Sequence, residues 1–145
     1  LAGAALVGAF LLVRLAGGGA SNQLEADIAL LVSVPVFPGA LRTSEYVRTE
    51  GRAVWRGREF ATELDPTDAS TALSDFYAER LTSAGWQATG TDTESASYRR
   101  GDESLTLRYL GAEAGDNDGR RVTSSTPAPV GTRSYYAVEV STTAE

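Results

Sequence analysis

The chain has no cysteine, no histidine and no methionine. Without cysteine there are no disulfides, thiolate metal sites or cysteine nucleophiles. Without histidine the commonest general base, the commonest metal ligand and the side chain best suited to a switch near neutral pH are gone. A Ser-His-Asp arrangement and imidazole-bound zinc or haem are excluded with it. Lysine is absent as well, so all 13 basic residues are arginine and no Schiff-base or P-loop lysine exists. Arginine is a permanently charged fork suited to ion pairs and stacking, not to proton transfer. These absences argue against an enzyme, and the sequence offers no catalytic residue, no cofactor-binding residue, no metal ligand and no cofactor. A formal net charge of −6 argues against nucleic acid as a partner.

Apolar residues are plentiful but unevenly placed. The chain opens LAGAALVGAFLLVRLAGGGA, and residues 1–13 carry no polar side chain. A membrane-crossing helix needs about 20 apolar residues, though about 17 can suffice. The run here is shorter, so completing a span requires apolar residues upstream of Leu1, with Arg14 reaching for the interface. A signal peptide ending at Gly18-Gly19-Ala20 is the competing reading. We expect a retained transmembrane anchor, with Gly17-Gly18-Gly19 as a flexible joint. Ala4 and Gly8 are four apart, as are Ala5 and Ala9, and small residues at that spacing let another helix approach closely in lipid. The expected contact with the bilayer and a partner helix is therefore Ala4, Ala5, Gly8, Ala9, Phe10, Leu11 and Leu12.

Residues 21–40 follow as a short helix and a Pro-rich connector. Asn22 with Glu25 resembles a capping box, and Leu24, Ile28 and Leu31 share a helical face, so a helix over 23–31 is expected along the membrane surface. Pro35, Pro38 and Gly39 stop it. The folded domain is expected over 41–145. It begins with a β-hairpin between Leu41 and Leu64, turning at Gly51 or at Gly57. Asp65-Pro66 is an N-cap followed by a proline at the first helical position. Leu73, Phe76, Tyr77, Leu81 and Ala84 then trace a buried stripe, and Gly85 ends the helix with Trp86 folding back over its last turn. Asp68, Asp75 and Glu79 lie off the stripe and read as a solvated face.

Short strands are expected at 86–89, 95–99, 104–110 and 134–141. Residues 111–133 form a polar loop rich in Gly, Ser, Thr and Pro. Its DNDG at 116–119 is a poor calcium loop, because Arg120 takes the fifth position and Pro127 the twelfth. Arg100-Gly101-Asp102 has the letters of an adhesion signal. Its flanks, Tyr98-Arg99 and Leu105-Thr106-Leu107, make it a hairpin corner instead.

FPGA at 37–40, FYAERLTSAGW at 76–86 and YRRGDESLTL at 98–107 together resemble a loose group of small bacterial membrane-anchored envelope proteins. The resemblance covers about residues 35–110. It implies a helix packed on an antiparallel sheet outside the cytoplasm, and assigns no activity.

The expected fold class is α+β: one N-terminal transmembrane helix, then a small domain with a single main helix on an antiparallel sheet, in the order ββαββββ. The expected function is a non-enzymatic accessory or structural subunit of a larger bacterial membrane complex, of respiratory or photosynthetic type, with its domain on the periplasmic face of the inner membrane. Its partners are integral membrane subunits and the lipid bilayer. The alternative is a membrane-anchored periplasmic binding module for a peptide, envelope polymer or small ligand, with Tyr98, Tyr109, Tyr135 and Tyr136 on a concave sheet face.

Overall fold

A computed structural model describes residues 20–115 and 120–142 of the chain. The expected membrane and partner-helix contacts, Ala4, Ala5, Gly8, Ala9, Phe10, Leu11 and Leu12, lie outside the described residues. The elements run α1 (Ala20–Ser33), β1 (Leu41–Glu50), β2 (Ala53–Thr62), α2 (Pro66–Ser83), β3 (Gln87–Thr91), β4 (Ser95–Arg100), β5 (Glu103–Gly111), β6 (Arg120–Ser125) and β7 (Ser134–Ser141). The strands form one seven-stranded antiparallel sheet in the order β3-β4-β5-β7-β2-β1-β6.

This corrects the expected fold class. The domain is mostly β, with seven strands where six were expected, and two helices lie on the sheet where one was. Among the described residues no helix is long and apolar enough to cross a membrane. The extra strand, β6, hides in what reads as a polar loop because RRVTSS holds a single large apolar residue and is exposed along almost its whole length. It is an edge strand, held by backbone pairing to β1 with no buried side-chain face of its own. Polar, charged edges of this kind discourage pairing with other chains.

Local chemistry sets the well-defined elements. In α2 the Asp65 carboxylate accepts from Thr67 N–H at 2.9 Å, and Pro66 occupies the first turn, where its missing N–H costs nothing. Ala69, Leu73, Tyr77 and Leu81 recur every fourth residue and are buried; of the expected stripe, Phe76 is only half-buried and Ala84, at the helix end, is exposed. At the far end Trp86 N–H reaches Leu81 C=O at 2.9 Å and Gly85 N–H reaches Thr82 C=O at 3.1 Å, with Gly85 at φ +93°. That is a Schellman ending, and it needs a residue without a Cβ. The first hairpin turns at Gly51, since Glu50 pairs with Ala53, and Gly57 lies inside β2. The β4–β5 hairpin turns on Gly101-Asp102, with Arg100 opposite Glu103. Arg100 is occupied internally: it donates to Glu103 at 2.8 Å and to Ala84 C=O at 2.9 Å, and its guanidinium lies 4.5 Å from the Trp86 ring centre.

Both helices cover one face of the sheet. Leu105 and Leu107 of β5, Tyr136, Val138 and Val140 of β7 and Phe60 of β2 meet Leu30 and Leu31 of α1 and Leu73, Tyr77 and Leu81 of α2. Four polar groups inside this core form a relay. Phe37 N–H donates to Tyr136 Oη at 3.2 Å, the Tyr136 and Tyr77 hydroxyls lie 2.7 Å apart, and Tyr77 O–H donates to Pro35 C=O at 2.8 Å. With both ends fixed, the proton between the phenols must run from Tyr136 to Tyr77. Burial, reinforced by the neighbouring phenol, pushes the Tyr77 pKa far above its ordinary value, so the relay stays neutral. Replacing Tyr77 with phenylalanine strands the Tyr136 donor and the Pro35 acceptor. Chemical denaturation should show a loss of about 1–3 kcal/mol, and a variant as stable as the parent would mean the relay contributes little.

Candidate functional site

The sheet face away from the helices carries charge. Because β2, β7 and β5 are in register, Glu139 sits in a row with Gly57 on one side and Thr106 on the other. Glu139 is fully buried although it is an acid. It accepts from Tyr46 Oη at 2.7 Å, from Arg48 Nη2 at 2.7 Å and from Arg108 Nε at 3.1 Å. Burial alone would raise its pKa, but the hydrogen bonds from Arg48 and Tyr46 and the Arg108 charge hold it below the ordinary carboxylate value. Tyr46 responds the other way: burial, then the Glu139 charge, push its phenol far above the usual value. Neither group has the tuning of an acid–base catalyst working near pH 7.

A second pair lies next to the first. Arg120 Nη1 meets Glu59 at 3.1 Å, Gly115 N–H donates to the same carboxylate at 3.2 Å, and the Arg120 guanidinium lies 4.0 Å from the Tyr46 ring centre. This pair borders a cleft of about 420 Å³, which also draws on Thr43, Ser44, Ser125 and Tyr135. Hydroxyls, one compensated acid and one tyrosine make this a wall for polar neutral groups, with no nucleophile–base pair. No cluster of three or more acids that could hold a metal ion is present among the described residues.

The four tyrosines expected on one concave face are divided by the pleat. Tyr98 and Tyr136 are buried in the core under the helices, Tyr109 is half-buried on that side, and only Tyr135 reaches the cleft. Trp55 is half-buried beside Arg48, whose guanidinium lies 5.5 Å from its ring centre. Asp68, Asp75 and Glu79 are exposed on α2.

A further surface belongs to α1. Asp27 is buried and faces the sheet, where it accepts from Thr142 N–H at 3.0 Å and from the Thr142 hydroxyl and Gln23 side chain. Leu30, Leu31 and Val34 are buried with it, while Leu24, Ile28 and Val32 point outward. The three leucine and isoleucine positions expected on one face are therefore split, Leu31 inward and Leu24 and Ile28 outward. With Leu30 and Leu31 inward and Leu24, Ile28 and Val32 outward, the helix carries aliphatics on both faces and a buried acid on the inner one, unlike the usual surface helix. Of the seven large hydrophobics exposed among the described residues, Leu24, Ile28, Val32, Val36 and Leu41 all fall within residues 24–41. Scattered exposed aliphatics carry no meaning, whereas these five are gathered in one short stretch of the chain. Sequence reasoning put Leu24 and Ile28 on one face of a surface helix but placed Leu31 with them and did not find the buried acid, because Asp27 looks like any surface acid until Thr142 is brought beneath it.

The chain matches no protein-family pattern, no curated protein and no solved structure.

Proposed function

We propose that this protein is a non-enzymatic accessory subunit of a larger bacterial membrane complex, docked through the outer face of α1 with its sheet domain on the periplasmic side. The observation that carries this reading is the outward row Leu24, Ile28, Val32, continued by Val36, on a helix whose Gln23 and Asp27 side chains are turned inward to Thr142. The apolar run of residues 1–13 precedes that helix in sequence. The buried acids add to the case against catalysis: Glu139 and Glu59 are each bonded to arginine and serve the sheet. The resemblance to bacterial envelope proteins supports the location.

The test is purification in mild detergent followed by mass spectrometry of co-purifying proteins. Val32→Glu and Val36→Glu each place a carboxylate on an exposed position, so the domain should keep its stability. At an apolar contact the same carboxylate is buried unpaired, at a cost of several kcal/mol. Co-purification should therefore fall at least about tenfold; partners retained by both variants would overturn the docking face. A second reading, a membrane-associated binding module, is favoured by the hydroxyl-lined cleft at Glu59 and Arg120. A monodisperse monomer in the same detergent would favour it.

A further inference from the structure

The helices leave part of their own sheet face uncovered. Beyond Val140 of β7 the register places Arg56, Val47 and Arg121 in one row, and Arg58, Glu45 and Ser124 in the next. The core thus changes from aliphatic to basic toward the β6 edge. Between these rows and α1 lies a second cleft, also of about 420 Å³, with Leu24, Ile28 and Leu31 on one wall and Arg56, Arg58, Arg121 and the single acid Glu45 on the other.

The three guanidiniums are not equivalent. Arg58 is answered by Glu45 at 2.7 Å, and Glu45 is shared with Arg42 at 2.8 Å. Arg56 has its Nε buried with no hydrogen-bond partner among the described residues. Arg121, exposed on the edge strand, forms no ion pair with any described residue. A buried donor without a partner is costly unless something outside the chain supplies an acceptor. In a chain of net charge −6, a buried unpartnered Arg56 Nε and a solvent-exposed Arg121 outside any described ion pair, both facing an aliphatic wall, suit a ligand that is anionic at one end and apolar at the other. The aliphatic wall is continuous with the outward row of α1, which extends to Val32. That geometry fits a helix lying at the boundary between headgroups and acyl chains better than it fits an acidic peptide.

We propose that this cleft seats an anionic phospholipid of the bilayer, its phosphate between Arg56 and Arg121 and an acyl chain along Leu24 and Ile28. The inference rests on the docking reading above and adds lipid to what the α1 face meets. The experiment is vesicle co-sedimentation of the full chain on phosphatidylcholine alone and on phosphatidylcholine with phosphatidylglycerol. Binding should be stronger on the anionic vesicles and weaken with salt. Arg121→Gln, at an exposed position, and Arg56→Gln should each lower that binding about fivefold, the factor that corresponds to about 1 kcal/mol per arginine at an anionic surface.

Equal binding of the parent chain to both vesicles would overturn the proposal, as would parental affinity in both variants. Displacement from anionic vesicles by soluble glycerol 3-phosphate would show a phosphate site without the acyl requirement, and would overturn the bilayer assignment. If the arginine variants lose co-purifying proteins in detergent but keep vesicle binding, an acidic segment of a partner occupies the cleft, and the lipid is again overturned. Val32 does not line the cleft. Partner loss in Val32→Glu alongside lipid-insensitive arginine variants therefore leaves docking intact and removes only the lipid.

Discussion

Glu139→Gln is expected to lose about 3 kcal/mol of stability and to melt about 10 °C lower than the parent protein. The carboxylate is fully buried and takes hydrogen bonds from Tyr46, Arg48 and Arg108. Glutamine keeps the shape and can still accept from Tyr46, but it cannot balance two guanidiniums. Breaking a buried pair typically costs about 3–5 kcal/mol because a charge is left unanswered. The lower end applies here: Arg108 has a partly exposed side chain and can turn to solvent, and Arg48 retains Glu50 at 3.3 Å.

The effect has a pH signature. A carboxylate whose folded-state pKa is depressed adds stability that is present above its unfolded value, about 4.3 for glutamate, and that is lost as pH falls through the folded value. The gap in melting temperature between parent and Glu139→Gln should therefore be full near neutral pH and close progressively below about pH 4. A gap that stays constant across that range would show that Glu139 acts by shape and not by charge.

Gly57→Ala is the second large effect. A Cβ at position 57 would stand 2.3 Å from Tyr46 Cζ and 2.6 Å from its Oη, closer than real atoms approach. Elsewhere a tyrosine ring would tilt away. Here its hydroxyl is held by Glu139 at 2.7 Å and Arg120 lies 4.0 Å from its ring centre, so moving the ring also disturbs both ion pairs. We expect a loss of about 1–3 kcal/mol, the usual range for overpacking. The control is a double-mutant cycle with Tyr46→Ala. With the ring gone, alanine at 57 should become neutral or stabilising, because glycine inside a strand costs roughly 0.5–1 kcal/mol relative to alanine. A penalty that persists in that background would locate the strain in the backbone.

How far the sequence could be read depended on how local the physics was. The α2 helix was legible from Asp65 to Trp86 because its cap, the Leu73-Tyr77-Leu81 part of its stripe and its Schellman ending are settled within one stretch of chain. The Gly101-Asp102 corner was legible for the same reason, as a glycine at φ +59° between two pairing segments. The choice between Gly51 and Gly57 was not, since both interrupt alternating residues; the pairing of Glu50 with Ala53 puts the turn at Gly51, and the ring of Tyr46 is what demands a glycine at 57 inside the strand. Strand β6 stayed hidden because its stability comes from the unpaired edge of β1 and from no pattern of its own.

By itself, then, the sequence determined which side-chain chemistry is missing: no thiol, no imidazole and no ammonium side chain, and so no thiolate or imidazole metal site and no Ser-His-Asp arrangement. It also determined the locally capped elements. Only the tertiary structure decided which charges are buried and which aliphatics are not. Glu139 becomes a buried counter-ion because Arg48 and Arg108 arrive from strands 91 and 31 residues away. Asp27 turns inward because Thr142, 115 residues on, offers it a backbone N–H, and Ile28 and Val32 are turned out as a consequence. Burial of a charge is favourable only when its partner is already in place, and that partner is supplied by sheet order, which no local stretch of sequence contains.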